Sequence, residues 1–402
     1  MRRRGQTAAL VLSTIAMTAS FIVWTVFTPL AAKIQLIYHL NNMEKSILIA
    51  IPVLLGSLMR IPIGILADRY GGRKVYTYLL LFLLIPILAS SVAHSFVQLV
   101  CCALFIGMAG TSFAVSVTYV SKWFPSEKQG TVLGIVGMGN IGSAIANFFI
   151  PLAANKWGII PVFYSLAILI LLIAATFWLG TQEGTKQEGK KSFNETLSVL
   201  KYKETWYLSL FYFLTFGGFV TFSVYLPILL QELFHISIID AGFAAAGFVI
   251  LATLLRPVGG YLSDRYGSRR VLAGVFSSLA LCGLLIAVTT PYFAYFIGGC
   301  FVLSIIVGIG NGAVFKMVSV VSSGNTGAVT GIVGAVGGVG GFIYPIVLRL
   351  MKDTMDSYSP GFLLLAALGL LCFIINRIAF AGFTLKEKEV QPTSGVLSRA
   401  QN

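Results

Sequence analysis

The chain has 402 residues, of which 57% are hydrophobic and only 10% charged, and its mean hydropathy is +0.89. Soluble domains carry about 25% charged residues, so a soluble globular protein is excluded and a chain that crosses a membrane many times is indicated. The net charge of +14 would suit a nucleic-acid binder, but basic residues also collect in the cytoplasmic loops of membrane proteins, and their distribution favours that explanation; no nucleic-acid partner is expected.

The opening MRRRGQTAALVLSTIAM has the basic head and apolar run of a secretory signal. The run is too long for one and no polar domain follows, so it reads as a retained first span. Apolar runs able to cross a bilayer fall at about 8–32, 46–66, 75–94, 97–120, 130–154, 159–180, 205–232, 239–262, 271–289, 291–322, 324–350 and 359–383. Twelve spans put both termini on one side. Only Lys33, Lys45, Lys156, Arg349 and Lys352 lie in the loops of the other side, while Arg60, Arg256, Lys316 and Arg377 fall within spans. The remaining basic residues share the side of the termini, which predicts cytoplasmic termini and a multi-pass protein of the cell membrane. A polar stretch containing TQEGTKQEGKK joins the sixth and seventh spans. It divides the chain into a six-helix bundle at 1–180, a cytoplasmic linker at 181–204, a second bundle at 205–385 and a tail at 386–402. The expected fold is therefore an all-α membrane protein of two pseudo-symmetric six-helix bundles.

Cys101, Cys102, Cys282, Cys300 and Cys372 all sit in apolar segments and imply packing rather than disulfides. His39, His94 and His235 lie near predicted helix ends or in loops. There is no Ser-His-Asp set, no metal-ligand spacing and no carboxylate pair within a span, so neither an enzyme nor a cofactor is expected. GMGNIG lies inside an apolar span with no strand before it, which argues against a nucleotide loop.

The two halves echo each other. GILADRYGGRK at 64–74 recurs as GYLSDRYGSRR at 260–270, and Arg60-Ile-Pro recurs as Arg256-Pro, both at an offset of 196 residues. GIVGMGNIG at 134–142 recurs as GIVGAVGGVG at 331–340, at an offset of 197. Three matches in the same order indicate a duplicated six-helix unit, an architecture of transporters with the site between the repeats.

Asp68, Arg69 and Arg73, with their echoes Asp264, Arg265 and Arg269, fall where the second and eighth spans meet the cytoplasm. They suit a gating latch that holds one side closed in one state and breaks in the other, although positive-inside anchors would also place basic residues there. Arg60 and Arg256 are harder to explain as structure. An arginine at the centre of a span costs about 2.5–3.5 kcal/mol on insertion scales, and Arg60 lies roughly 12 Å inside Asp68 at helical rise, too far to snorkel easily. All fourteen Asp and Glu fall in loops or at predicted span ends, so neither arginine has an evident counterion. The remaining explanation is an anionic cargo. The planar guanidinium fork suits a planar oxyanion, which admits carboxylates as well as inorganic anions.

The Gly-x-x-x-Asp-Arg-x-Gly-x-Arg turn after the second and eighth spans resembles the signature of the major facilitator superfamily. The paired arginines, with the glycine-rich runs of spans five and eleven, resemble the nitrate/nitrite porter family over nearly the whole chain. That resemblance implies alternating access with nitrate or nitrite as the anion, clamped by Arg60 and Arg256 from opposite halves. The glycine runs suit close helix packing in any case; within them Gly137 and Gly337 become substrate-binding candidates, and Asn140 could offer its amide to the anion. Phe113, Tyr212, Phe216 and Phe315 lie in segments that resemble those of the family. Their rings are expected above and below a flat anion, with Tyr212 donating a hydrogen bond. Lys316 is open to several roles: positive potential along the pathway, proton exchange, or a contact to backbone carbonyls at a helix end. No carboxylate or histidine lies in mid-span to carry a proton, which favours nitrate/nitrite exchange over proton coupling. The expected partners are the anion and the lipid bilayer, and a monomer is expected to suffice.

Overall fold

Helical hydrogen bonding continues past the apolar runs into their charged ends, so most spans are longer than hydropathy alone gives. A computed structural model describes residues 2–183, 198–322 and 326–381. Its helices long and apolar enough to cross a membrane are α1 Arg4–Ile37, α2 Met43–Tyr70, α3 Gly72–Ser91, α4 Phe96–Ser121, α5 Ser126–Trp157, α6 Ile159–Gly180, α7 Lys203–Phe234, α8 Asp240–Tyr266, α9 Ser268–Thr289, α10 Phe293–Val321, α11 Thr326–Met355 and α12 Ser359–Ala379. There is no strand among the described residues. The count matches the hydropathy reading, and the bounds differ mainly where a polar turn remains helical. Most of the 181–204 linker and all of the 386–402 tail lie outside the described residues, and α7 already begins at Lys203.

The duplication extends to the ends of the helices. Asn41 and Glu44 form a reciprocal capping box at the start of α2, and Ser237, 196 residues on, accepts from the Asp240 amide at the start of α8. His39 and His235, at the same spacing, both close the preceding segment in the left-handed region, with φ of 52° and 53°. Gly71 and Gly267 then make the α2–α3 and α8–α9 turns at φ 94° and 86°, where a side chain would be strained. These two turns and the N-terminus lie on one face of the molecule, the turn face.

Irregularities gather at mid-depth. The α-helical run of α2 stops at Leu58 and resumes at Arg60, and that of α8 stops at Leu254 and resumes at Arg256. A 3₁₀ segment interrupts α4 at Gly107–Thr111, and another interrupts α5 at Met138–Asn140. Such segments change the hydrogen-bond register and turn backbone groups toward neighbours. On the turn-face side of this level, α2 packs on α11 and α8 on α5 with touching backbones. A Cβ on Gly64 would lie 2.3 Å from the Gly327 carbonyl oxygen, and one on Gly260 would lie 1.9 Å from that of Gly130. Only glycine permits either approach.

Candidate functional site

Arg60 is fully buried and Arg256 is 2% exposed. Arg60 donates from Nε to the Gly110 carbonyl at 3.1 Å and from Nη1 to that of Gly334 at 2.7 Å. Arg256 donates from Nη1 to the Gly137 carbonyl at 2.9 Å and from Nη2 to the Tyr212 hydroxyl at 3.0 Å. Each arginine thus reaches a glycine carbonyl of the other half, and the two glycines are 197 residues apart. These bonds occupy donors but neutralise no charge. Among the described residues neither guanidinium makes an ion pair. Nη2 of Arg60 is buried without a partner among them.

The guanidinium groups converge on the same two rings. Arg60 lies 5.7 Å from the Phe113 centroid and 5.4 Å from that of Phe216; Arg256 lies 5.9 and 5.6 Å from the same two. Phe113 stacks on Tyr212 at 6.2 Å and 8°, and Tyr212 on Phe216 at 4.8 Å and 6°. Phe315 meets Phe113 and Tyr212 edge-on, at 4.7 Å in each case. The four aromatic candidates therefore form one cluster with the two arginines. The ladder corrects one expectation: these rings stack on each other instead of standing apart as the two walls of a slot. Carbon atoms in contact lie about 3.5–4.0 Å apart, so a flat anion between two faces would need wider spacing than consecutive rings here have. Phe113 comes from α4 and the other three from α7 and α10 of the second half, so movement between the halves would part Phe113 from the other three.

Asn140 is 1% exposed, and neither atom of its amide has a partner among the described residues. Gly137 supplies a carbonyl to Arg256. Gly337 acts differently, because a Cβ there would lie 2.3 Å from Cδ1 of Tyr212: it makes room for the ring. The carbonyl counterpart of Gly137 is Gly334, which the 197-residue offset would have identified. Gly110 had no such signal, since its carbonyl is presented by the 3₁₀ segment of α4.

Toward the turn face the two aspartates bridge the halves. Asp68, at the end of α2, accepts from the Ala328 amide at the start of α11 at 3.1 Å. Asp264, at the end of α8, accepts from the amides of Gly130 and Thr131 at 2.9 and 2.7 Å and from the Thr131 hydroxyl at 2.7 Å, near the start of α5. Carboxylates are favoured at helix N-termini by exposed amides and by the dipole. The turn arginines do not join these cross-half bonds. Arg73 donates to the Trp178 carbonyl and stacks on its ring at 4.0 Å, and Arg269 donates to the Arg377 carbonyl, each within its own half. Arg69 and Arg265 lie over the neighbouring Tyr70 and Tyr266. Of the roles open to Lys316, the contacts match the carbonyl one and add an ion pair. Lys316 pairs with Asp264 at 2.9 Å and donates to the Ser126 carbonyl, so it stands with the aspartates, one residue beyond Phe315. Asp68 has a corresponding lysine, Lys122 just past the end of α4, at 3.7 Å.

The Major Facilitator Superfamily profile matches residues 13–345 and 208–397. The nitrite extrusion protein of Bacillus subtilis (strain 168) is 37% identical over 90% of this chain and 92% of its own length. The probable nitrate transporter NarT of Staphylococcus epidermidis is 34% identical over 97% and 100%. The chain belongs to the major facilitator superfamily, in its nitrate/nitrite porter family. The fold agrees: the proton:xylose symporter XylE superposes with a TM-score of 0.75 at 13% identity, covering 93% of this chain and 96% of that one. The human organic anion transporter MFSD10 (TETRAN) gives 0.74 at 14% identity, covering 93% and 99%. This porter-family chain is therefore a multi-pass membrane transporter and not an enzyme. In it the family resemblance and the two buried arginines meet at one place.

Proposed function

We propose that this protein carries nitrate and nitrite across the cell membrane by alternating access, as an exchanger. The observation that carries the reading is the pair of buried arginines, Arg60 and Arg256, that share the rings of Phe113 and Phe216 without an acidic partner among the described residues. A small planar monoanion supplies the missing charge and accepts from the forks of both guanidinium groups. The names of relatives support the choice of anion: a nitrite extrusion protein, a probable nitrate transporter and, at 38% identity over 67% of this chain, a probable nitrate/nitrite antiporter of Thermus thermophilus.

The bundles 1–180 and 205–385 act as the two rocking bodies, joined by the 181–204 linker, with both termini and the turn face in the cytoplasm. The cross-half bonds of Asp68 and Asp264, with the glycine contacts beside them, hold the cytoplasmic side shut. They break when that side opens. Arg69, Arg73, Arg265 and Arg269 brace the turns within each half. Exchange follows from charge. An unloaded site leaves two cations together at low dielectric, so the loaded carrier reorients faster. Lys316 is engaged with Asp264, which argues against its serving as a proton carrier. One chain supplies both arginines, so a monomer suffices.

The test is uptake of labelled nitrate by proteoliposomes. Nitrite should compete with it, while chloride and sulfate should compete poorly. Absence of uptake above protein-free liposomes would overturn the reading, and strong inhibition by a bulky organic anion would redirect it to carboxylates.

A further inference from the structure

Asn311 of α10 is 2% exposed, and neither the nitrogen nor the oxygen of its amide has a hydrogen-bond partner among the described residues. Leaving a buried amide unpaired is costly, so such a group calls for an explanation. Its position supplies one. A Cβ on Gly218 of α7 would meet Val307 at 3.7 Å, one on Gly310 would meet Thr215 of α7 at 2.8 Å, and Phe315 packs edge-on against Tyr212 of α7. The two helices thus run antiparallel with residues 307, 310 and 315 beside 218, 215 and 212. Val307, Asn311 and Phe315 recur every four residues and share one face of α10. Asn311 falls between the other two, at the level where Tyr212 stacks on Phe216. The next residue, Gly312, abuts the segment that carries Arg256: a Cβ there would lie 2.1 Å from the Arg256 carbonyl oxygen. The amide is therefore set between the ring cluster and the Arg256 segment.

From this geometry we infer that Asn311 donates its amide N–H to the transported anion and thereby favours nitrate over nitrite. The inference rests on the anion reading above and adds a specificity residue to the same site. Nitrate has three oxygens in one plane, whereas nitrite has two. Two guanidinium forks serve two oxygens of either ion, and the third oxygen of nitrate needs a further donor. Among the described residues, Asn140 is the only other buried amide side chain with both atoms unpartnered. It lies on α5, and its repeat position on α11 is Gly337. The second half thus has no amide at that repeat position and has one on α10 instead.

The variants Asn311→Leu, near in shape with no donor, and Asn311→Ser, with a shorter donor, test this in nitrite-loaded proteoliposomes. Asn311→Leu should raise the half-saturating nitrate concentration about 10-fold or more and that for nitrite less than about 3-fold. Asn311→Ser should fall between wild type and Asn311→Leu. Purified Asn311→Leu without ligand should unfold at or above the wild-type temperature, since no partner is lost, but should gain less stabilisation from added nitrate. If Asn311→Leu does not fold, Asn311→Ser decides by the same selective rise. Unchanged values for both anions, or equal rises for both, overturn the inference while wild-type uptake keeps the arginine reading intact. Failure of the wild type to move either anion overturns both.

Discussion

The two halves of the molecule match closely in one set of residues and differ in another. Matching at offsets of 196 or 197 residues are the arginines, the carbonyls of Gly137 and Gly334 that receive them, the aspartates, the close-contact glycines Gly64 and Gly260, the positive-φ turns and the left-handed histidines. Differing are the groups around the guanidinium pair. Tyr212, Phe216 and Phe315 come from the second half and occupy repeat positions held in the first by Ala16, Ser20 and Tyr119. Phe113 comes from the first half, with Ile309 as its echo, and Asn140 has only Gly337 opposite it. The symmetric residues lie where the halves touch and must part on either side in turn. The asymmetric ones surround the arginines, where a single small anion has no need of twofold symmetry. In this account the matched contacts move the protein, the matched arginines hold the charge of its cargo, and the unmatched residues around them read its shape.

The largest effect should come from the symmetric pair nearest the cargo. Arg60→Lys and Arg256→Lys keep the charge but lose the fork, and each should lower nitrate transport by about 100-fold or more with the protein still inserted. Near wild-type flux in either variant would break the equivalence of the two arginines. Next come the glycine contacts. Ala at position 64 or 260 would force Cβ to within 2.3 or 1.9 Å of a carbonyl across the interface. Overpacking of this kind costs about 1–3 kcal/mol, so Gly64→Ala and Gly260→Ala should each slow exchange about 10-fold by keeping the turn face from closing. Labelling of cysteines placed along the pathway from that face should increase, and unchanged labelling would contradict the account.

The aspartates are matched in place but differ in pairing. Asp264 has its lysine at 2.9 Å, and Asp68 has its own at 3.7 Å. A hydrogen bond to a charged group is worth about 1.5–3 kcal/mol, so Asp264→Asn should slow exchange about 10-fold and Asp68→Asn less, read in the same liposomes. Equal effects would mean that the lysines contribute little. The smallest expected change belongs to Asn140→Gly, which gives the first half the residue of the second. It should raise the half-saturating anion concentration about 5-fold and leave the maximal rate close to wild type, because it removes a donor to the cargo and leaves the moving contacts in place.

Much of the architecture is legible in the sequence because membrane spans and duplication both write themselves in composition. Twelve apolar runs gave the helices, and the repeated Asp-Arg turn gave the aligned halves. Arg60 and Arg256 stood out since a charge inside a span has few explanations. The aromatic candidates rested on the resemblance, and the structure brings all four together. Other parts were not legible. The acceptor role of Gly110 depends on a local 3₁₀ register that no residue pattern reveals. Lys316 stays open among a pathway charge, a proton exchanger and a carbonyl contact when only the sequence is read, because it lies deep in an apolar run; α10 carries it to the Ser126 carbonyl and to Asp264, a partner 52 residues earlier in the chain. The assignment of Arg73 and Arg269 to bonds within each half likewise needs the ends of α6 and α12, which lie far away in sequence. Asn311 carries no charge and breaks no pattern in the sequence; its lack of a partner becomes visible only when its neighbours are in place.

Two arginines whose charge is met by the cargo make the loaded carrier the mobile one. The most direct measurement is uptake of labelled nitrate into liposomes preloaded with nitrite, compared with empty liposomes under an inward proton gradient. Moving one negative charge against a negative-inside potential costs about 2.3 kcal/mol per 100 mV, a cost that one-for-one exchange of monoanions avoids. Rapid uptake in the preloaded set, insensitive to a protonophore, with little in the empty set, is the predicted result. Robust accumulation in the empty set that a protonophore abolishes would contradict it.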